Sequence, residues 1–363
     1  MTKRMTKPYS LGYFNLARGL GILFVLAGHS MALFYRGSAD AASISVFAGA
    51  GRVLGGGVMA MFFMISGFYF FRRSPWKCVK MQARLLLKPY GITAVVILAG
   101  SLLQNLMQGK PIGQKVAQLI LTYLFGFNAV SGETFLGQPI GTVSIFWFVL
   151  ALFVGWVLFN LICGLPGKTA RIAWVCGFVL LSWVMSQLSH VWPWAIHTGF
   201  LAVGYIAVGH AIRKYDLLNQ KLPIPAWIFL GTVSLICLAF GYVDIAPGIW
   251  RLGLLDVVGS FCMGFLLMRT YSRLMDWGSG VRCWGLVDLI GLNSIWFLCI
   301  HAVEKALIPW KELIQLLPDQ PVLRFTVCFA LRLAIVLVCF WLITYIRRFL
   351  NWGRRQKITL THN

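Results

Sequence analysis

Long apolar runs, broken by short polar or basic segments, recur from one end of the chain to the other. About 20 apolar residues in a helix span the ~30 Å hydrocarbon core of a bilayer. On that criterion the pattern predicts ten spans: Leu11 to Leu33, Val53 to Phe71, Tyr90 to Met107, Thr142 to Cys163, Arg171 to Leu188, Trp194 to Ile212, Trp227 to Val243, Trp250 to Met268, Leu286 to Val303 and Leu323 to Tyr345. The apolar stretch Val116 to Phe127 is too short to cross and reads as an interfacial or re-entrant helix. An even number of spans places both termini on one side. The predicted fold class is therefore all-α, a polytopic membrane helical bundle. It forms a single domain over 1–363, with short basic tails at 1–10 and 346–363. The first apolar run is longer than the core of a signal peptide and lacks a small-residue cleavage site after it, so the first helix is expected to stay in the protein.

Composition agrees with the pattern. Of 363 residues, 59% are hydrophobic and 12% charged, and mean hydropathy is +0.78, values outside the range of ordinary soluble domains. The formal net charge of +22 raises the question of nucleic acid. Its distribution answers that question. Basic residues gather on one side, in Lys3, Arg4 and Lys7, then Arg72 to Lys88, Lys168 and Arg171, Arg213 to Lys221, Arg269 to Arg282, and Arg347 to Lys357. The other side holds Arg36, Lys110, Lys115, Lys305 and Lys311, while Arg18, Arg52, Arg251, Arg324 and Arg332 lie within spans or at their edges. The positive-inside rule then puts both termini in the cytoplasm, and an excess spread over alternate loops is a topology signal and no nucleic-acid patch. Nine scattered cysteines form no C-x-x-C or His-rich cluster, so neither a metal site nor a disulfide framework is expected. No internal repeat or phosphate-binding glycine loop is present, which leaves any chemistry to the bundle itself.

Polar residues inside the spans carry the candidate chemistry. NLARGLGILFVLAGHS holds Arg18 and His29 eleven residues apart. A helix turns through about three full turns plus ~20° over that distance, so both side chains share one face and stand about 16 Å apart along the axis. Intramembrane ionisable residues commonly face a bundle interior and act there, although Arg18 snorkelling to one interface and His29 to the other would produce the same spacing. After VMAMFFMISGFYFF, in which Ser66 and Gly67 allow close helix approach, Arg72 and Arg73 close the second span. Lys77, Lys80, Arg84 and Lys88 follow at helical spacing, a stripe suited to phosphates or to anionic headgroups.

Further along, Glu133 is one of only ten acidic residues and lies in a loop on the side opposite the termini. Trp147 sits in the upper part of the fourth span as an interfacial anchor. His190 and His197 flank a WPW turn and read as loop or interface residues, and His210 as a snorkelling one. Arg251 and Asp256 are five residues apart, too far round a helix to pair, so each is expected to find a partner on another helix. The ninth span carries Asn293, Ser294, His301 and Glu304. The last two are three residues apart on one face, where the carboxylate could orient or charge the imidazole.

Several of these stretches, taken together and in order, resemble the integral-membrane acyltransferase-3 family, close to its fucose 4-O-acetylase-like branch of polysaccharide O-acetyltransferases. Arg18, ten residues and then His29 resembles that family's Arg-x10-His signature. FFMISGFYFFRR, LLLKPYG, WFVLALF and NSIWFLCIH resemble its later blocks. One departure is that the family's cytoplasmic Arg-x-x-Arg pair has no direct equivalent, so Arg84 with Lys88, or Arg72 with Arg73, must stand in for it.

The resemblance implies an enzyme of the cytoplasmic membrane that moves an acyl group, usually acetyl, from cytoplasmic acyl-CoA to a hydroxyl of a cell-envelope or exported carbohydrate or glycolipid, with no metal. Arg18 and the basic residues Arg72, Arg73, Arg84 and Lys88 would then hold the donor's phosphates, a task suited to the planar guanidinium fork. His29 would serve as general base on the acceptor hydroxyl or carry the acyl group covalently. Ser66, Asn293 or Trp147 would supply a donor to the oxyanion. His301, Glu304 and Glu133 would lie on the acceptor side. The alternative from another class is a transporter or flippase whose Arg18 and His29 line a substrate path. Against it, the chain shows no inverted repeat or paired broken helices.

Overall fold

The computed structural model describes residues 12–35, 51, 53–128, 132–189, 191–277 and 284–360, with side chains described throughout these except at 34, 35, 54, 275–277 and 348–360. The expectations for Lys3, Arg4, Lys7, Arg36, Arg52, His190 and Arg282, and for most of the loop from Gly37 to Gly57, lie outside these residues. Within them the chain is an all-α bundle with two very short hairpins.

In chain order, α1 is Asn15–Tyr35 and α2 is Met59–Phe68, which continues a π-helical turn at Val53–Val58. α3 (Pro75–Gln82) runs through a second π turn, Ala83–Leu87, into α4 (Lys88–Met107). α5 is Gly113–Phe125, and the hairpin of β1 (Thr134–Phe135) and β2 (Gln138–Pro139) precedes α6 (Trp147–Ile162). α7 (Lys168–Leu188), α8 (Ile196–Lys214) and α9 (Ile224–Phe240) follow. A second hairpin, β3 (Val243–Asp244) with β4 (Ile249–Trp250), leads into α10 (Leu254–Trp277). The chain closes with α11 (Trp284–Leu292), α12 (Ser294–Leu307), α13 (Trp310–Gln315) and the long α14 (Pro321–Leu360).

A helical segment occupies each of the ten positions expected from the hydrophobic pattern. Among the described residues seven helices are long and apolar enough to cross a membrane, the stretch 284–307 is an eighth if its two halves count as one, and the helices at 55–68 and 224–240 are shorter apolar ones. α5 falls where an interfacial or re-entrant helix was expected. Large apolar side chains such as Val95, Trp174, Leu180, Val338 and Trp341 are exposed on α4, α7 and α14, the surface a bilayer would cover.

Two local irregularities have readable causes. Pro89 has no N–H to give the carbonyl four residues before it, and the helix spacing loosens to a π turn at that point. The ninth span is not the straight helix expected: α11 and α12 meet at a bend of 84°. At the bend Asn293 leaves helical geometry, and its side-chain amide donates to the Leu289 carbonyl at 3.0 Å beside its own backbone N–H, which reaches the same oxygen at 3.2 Å. Tight packing holds α11 in its direction. A Cβ on Gly291 would lie 1.7 Å from the Asn15 carbonyl oxygen, and one on Gly19 would lie 2.0 Å from that of Val287. Only glycines on both helices allow this approach.

The same device joins α2 to α8, where a Cβ on Gly67 would sit 2.1 Å from the Ile206 oxygen and one on Gly209 would sit 1.9 Å from that of Met64. Around this pair the interior is aromatic, with Phe63 stacked on Tyr205 and Phe14 edge-on to Phe68. Replacing Gly209 by alanine should therefore cost about 1–3 kcal/mol through overpacking. Gly231→Ala, which meets open space, should be neutral. Thermal aggregation of the detergent-solubilised protein, followed by size exclusion, distinguishes the two.

Candidate active site

Helix α1 places Arg18 near its start and His29 near its end, and packs against α11, α12 and α14. The two residues meet different surroundings. Arg18 lies over the Tyr69 ring, 5.2 Å from its centroid, and has no carboxylate partner among the described residues. Arg213 comes to the same end of the bundle, stacking on Phe68 and Phe71 and donating to the Phe68 carbonyl at 3.3 Å. This end is therefore cationic and aromatic.

At the other end of α1, His29 is joined by residues from α12 and from the turn before α6. Its Nδ1 lies 3.2 Å from Nζ of Lys305 on α12. That ammonium also donates to Ser144 Oγ at 2.7 Å. Ser144 opens the turn leading into α6 with φ at 54°, a left-handed conformation that costs a non-glycine residue energy and is most often retained at functional sites. Thr142 Oγ1 secures that turn by accepting the Ser144 N–H at 2.8 Å. The His29 ring also faces His301, with centroids 5.3 Å apart and planes at 45°.

His301 heads a second, drier cluster. It is fully buried, and its Nδ1 is 2.5 Å from Oε1 of Glu304, the helical neighbour anticipated from their spacing. The other oxygen, Oε2, accepts from Trp310 Nε1 and lies 3.8 Å from Nε of Arg332 on α14. Arg332, only 1% exposed, also covers the Trp310 ring at 4.8 Å. Permanently charged, its guanidinium balances the Glu304 carboxylate in a region of low dielectric. His301 Nε2 has no hydrogen-bond partner among the described residues.

The other expected site residues are placed elsewhere. The Ser66 hydroxyl accepts from Trp156 Nε1 at 2.6 Å and ties α2 to α6. Trp147 is half-buried against Phe63 and Phe148, three residues after Ser144. Asn293 is at the bend described above. Glu133 is half-buried before β1, its carbonyl accepting from the Ile140 N–H at 3.0 Å.

The basic residues expected to act together fall into two groups. Arg73 is fixed to the end of α6, where its N–H donates to Asn160 Oδ1 at 2.9 Å and its carbonyl accepts from Asn160 Nδ2 at 3.0 Å, with Arg72 nearby against Gly164. Arg84 and Lys88 instead line a cleft of about 280 Å³ with Trp296 and Arg347, whose guanidinium stacks 4.4 Å above that indole. An adjoining cleft of about 300 Å³ shares Trp296 and Arg347 and continues along Asn293, Ile300, Phe340 and Thr344. No acidic group pairs with Arg84, Lys88 or Arg347 among the described residues.

Three further residues are placed by the structure. Lys305 falls two residues past Val303, the expected end of the ninth span. It belongs to α12, half-buried, where the His29 and Ser144 side chains hold its charged end. Asp256 accepts the Leu252 N–H, just before α10, on Oδ2 at 2.7 Å, and its carboxylate also meets the Cys237 thiol of α9, the partner on another helix that its position called for. His197 is a buried residue of α8, not a loop one, and its Nε2 is 3.1 Å from Thr198 Oγ1.

Lys305, Ser144, Arg332, Trp310, Trp296 and Arg347 were not anticipated as site residues. Two of them left a signal. Lys305 follows His301 by four residues and so shares its face, and Arg332 is an arginine in the middle of an apolar span. Ser144 and Trp310 left none.

The ion-pair arrangement makes a stability prediction. Removing the carboxylate with Glu304→Ala should leave Arg332 buried without its counter-charge and cost about 3–5 kcal/mol, while the double variant Glu304→Gln with Arg332→Met should recover most of that loss. Melting of the purified protein in detergent reads both.

The family defined by the acyltransferase domain, acyltransferase-3, matches residues 11–344. No curated protein and no solved structure matches the chain. The matched region runs from the start of α1 into α14 and takes in His29, Lys305, His301 and Glu304 together. The chain belongs to the acyltransferase-3 family of membrane acyltransferases.

Proposed function

We propose that this acyltransferase moves an acyl group, acetyl in the first instance, from acyl-CoA on the cytoplasmic side to a hydroxyl of a cell-envelope or exported carbohydrate. The observation that carries the reading is the polar cluster at His29. It is an interior site with two imidazoles, an ammonium and a carboxylate, placed at the opposite end of α1 from the cationic Arg18.

A donor with several phosphates and a flexible arm suits this arrangement. Arg84 and Lys88, joined by Arg347, have no carboxylate partner among the described residues and border a cleft that continues with largely apolar walls to Ile300, the residue before His301. Arg18, about 16 Å along α1 from His29, offers a further cation. Arg72 and Arg73 lie at the end of α6 and would serve the donor's entry more than its seat. The acceptor would approach His29 from the side of Ser144 and Trp147, where α6 begins. Both termini would be cytoplasmic, as the basic loops require.

His29 is then central to the reaction. His29→Ala should leave the protein folded in the membrane and reduce O-acetylation of envelope glycans, followed by mass spectrometry, by at least ~100-fold, the scale for losing a catalytic base or an oxyanion donor. Normal O-acetylation in that variant would refute the reading. Arg84→Gln with Lys88→Gln should raise the KM for acetyl-CoA about tenfold or more with kcat retained, as expected for lost charge-assisted bonds to phosphate.

A further inference from the structure

His29 and His301 face one another, yet their hydrogen-bond partners are of opposite character. Lys305 as an ammonium has donors and no acceptor. At 3.2 Å it donates to His29 Nδ1, and the neutral ring must then carry its proton on Nε2. Glu304 as a carboxylate has acceptors and no donor. At 2.5 Å it accepts from His301 Nδ1, and the neutral ring must keep its lone pair on Nε2. That Nε2 is buried and unpartnered among the described residues, although buried polar nitrogens are nearly always satisfied. An orphaned acceptor nitrogen on an imidazole oriented by a carboxylate is the geometry of a general base waiting for a hydroxyl.

We infer that His301, oriented by Glu304, takes the proton of the acceptor hydroxyl, and that His29, held by Lys305, donates its Nε2–H to the acyl oxygen. This rests on the acyl-CoA reading above and assigns its two imidazoles different tasks. The steps balance. The acceptor oxygen bonds to the acyl carbon as its proton passes to His301 Nε2, and the carbonyl electron pair moves onto oxygen, where His29 Nε2–H stabilises it. Re-forming the carbonyl breaks the carbon–sulfur bond, and the departing CoA thiolate takes the proton from His301. Glu304 remains ionised throughout, offset by Arg332. Lys305 and Glu304 are positioning residues, since each acts through a ring.

Two measurements test the assignment on the full-length protein. Nitrogen-15 spectra of histidine-labelled protein in lipid, assigned with His29→Gln and His301→Gln, should show His29 protonated at Nε2 and His301 at Nδ1. The reverse pattern at either residue, or a doubly protonated ring, overturns the inference. This measurement needs no donor, so its failure is separate from failure of the acyl-CoA reading. The second compares nucleophiles with acetyl-CoA as donor. Hydroxylamine attacks a thioester without a general base, whereas a sugar hydroxyl requires one. His301→Gln should lower O-acetylation of envelope glycans at least ~100-fold. Its protein-dependent release of CoA with hydroxylamine should fall by less than tenfold. His29→Gln and Lys305→Met should lower both reactions. Equal loss of both reactions in His301→Gln, or retained O-acetylation in that variant, excludes His301 as the base.

Discussion

An unpaired charge in an apolar interior costs several kcal/mol, and much of this bundle's centre is arranged to avoid that cost at Glu304. The carboxylate lies on α12 and is 3% exposed. It collects His301 from its own helix, Trp310 from the short helix that follows, and Arg332 from the middle of α14. Three segments are thereby tied at one depth, and the rigid imidazole that results is the one facing His29. Were Glu304 apolar, Arg332 would lack its counter-charge and His301 its orientation together. Stability and site geometry thus depend on one side chain.

The bend at Asn293 gives that tie its reach. α11 leaves α12 at 84° and is held against the start of α1 by glycine contacts, so the Arg18 half of α1 meets α11 while its His29 half meets α12 and α14. A straight ninth helix could not contact both ends of α1 in this way. The bend also places Asn293 and Trp296 in the clefts that Arg84, Lys88 and Arg347 border. A break in a membrane helix is tolerated where its backbone groups stay satisfied, and here the Leu289 carbonyl accepts both the backbone N–H and the side-chain amide of Asn293.

The two imidazoles show how environment divides the labour of identical groups. Neither ring differs chemically from the other. An ammonium on one and a carboxylate on the other fix opposite tautomers, so that one presents N–H and the other a lone pair. Ser144 contributes through an energetically costly backbone, held by Thr142, that brings its hydroxyl to Lys305. Such strain persists only where surrounding contacts impose it.

The hydrophobic pattern alone was enough to establish the all-α membrane class and the positions of the helical segments, because crossing a bilayer demands long apolar runs whatever their neighbours. Helical spacing likewise brought His301 and Glu304 together and put Arg18 and His29 on one face, since both are properties of a single helix. The contacts between helices were beyond such reasoning. Ser66 belongs to Trp156, and the basic residues divide between the end of α6 and the cleft at Trp296. Ser144 and Lys305, 161 positions apart, meet beside a histidine from α1. Apolar helices of similar composition pack through glycine contacts and buried polar pairs that are specified only when two surfaces meet. The location of the candidate site was therefore legible from local spacing, whereas the partner each imidazole holds, and with it the direction of each proton, was decided by the tertiary structure.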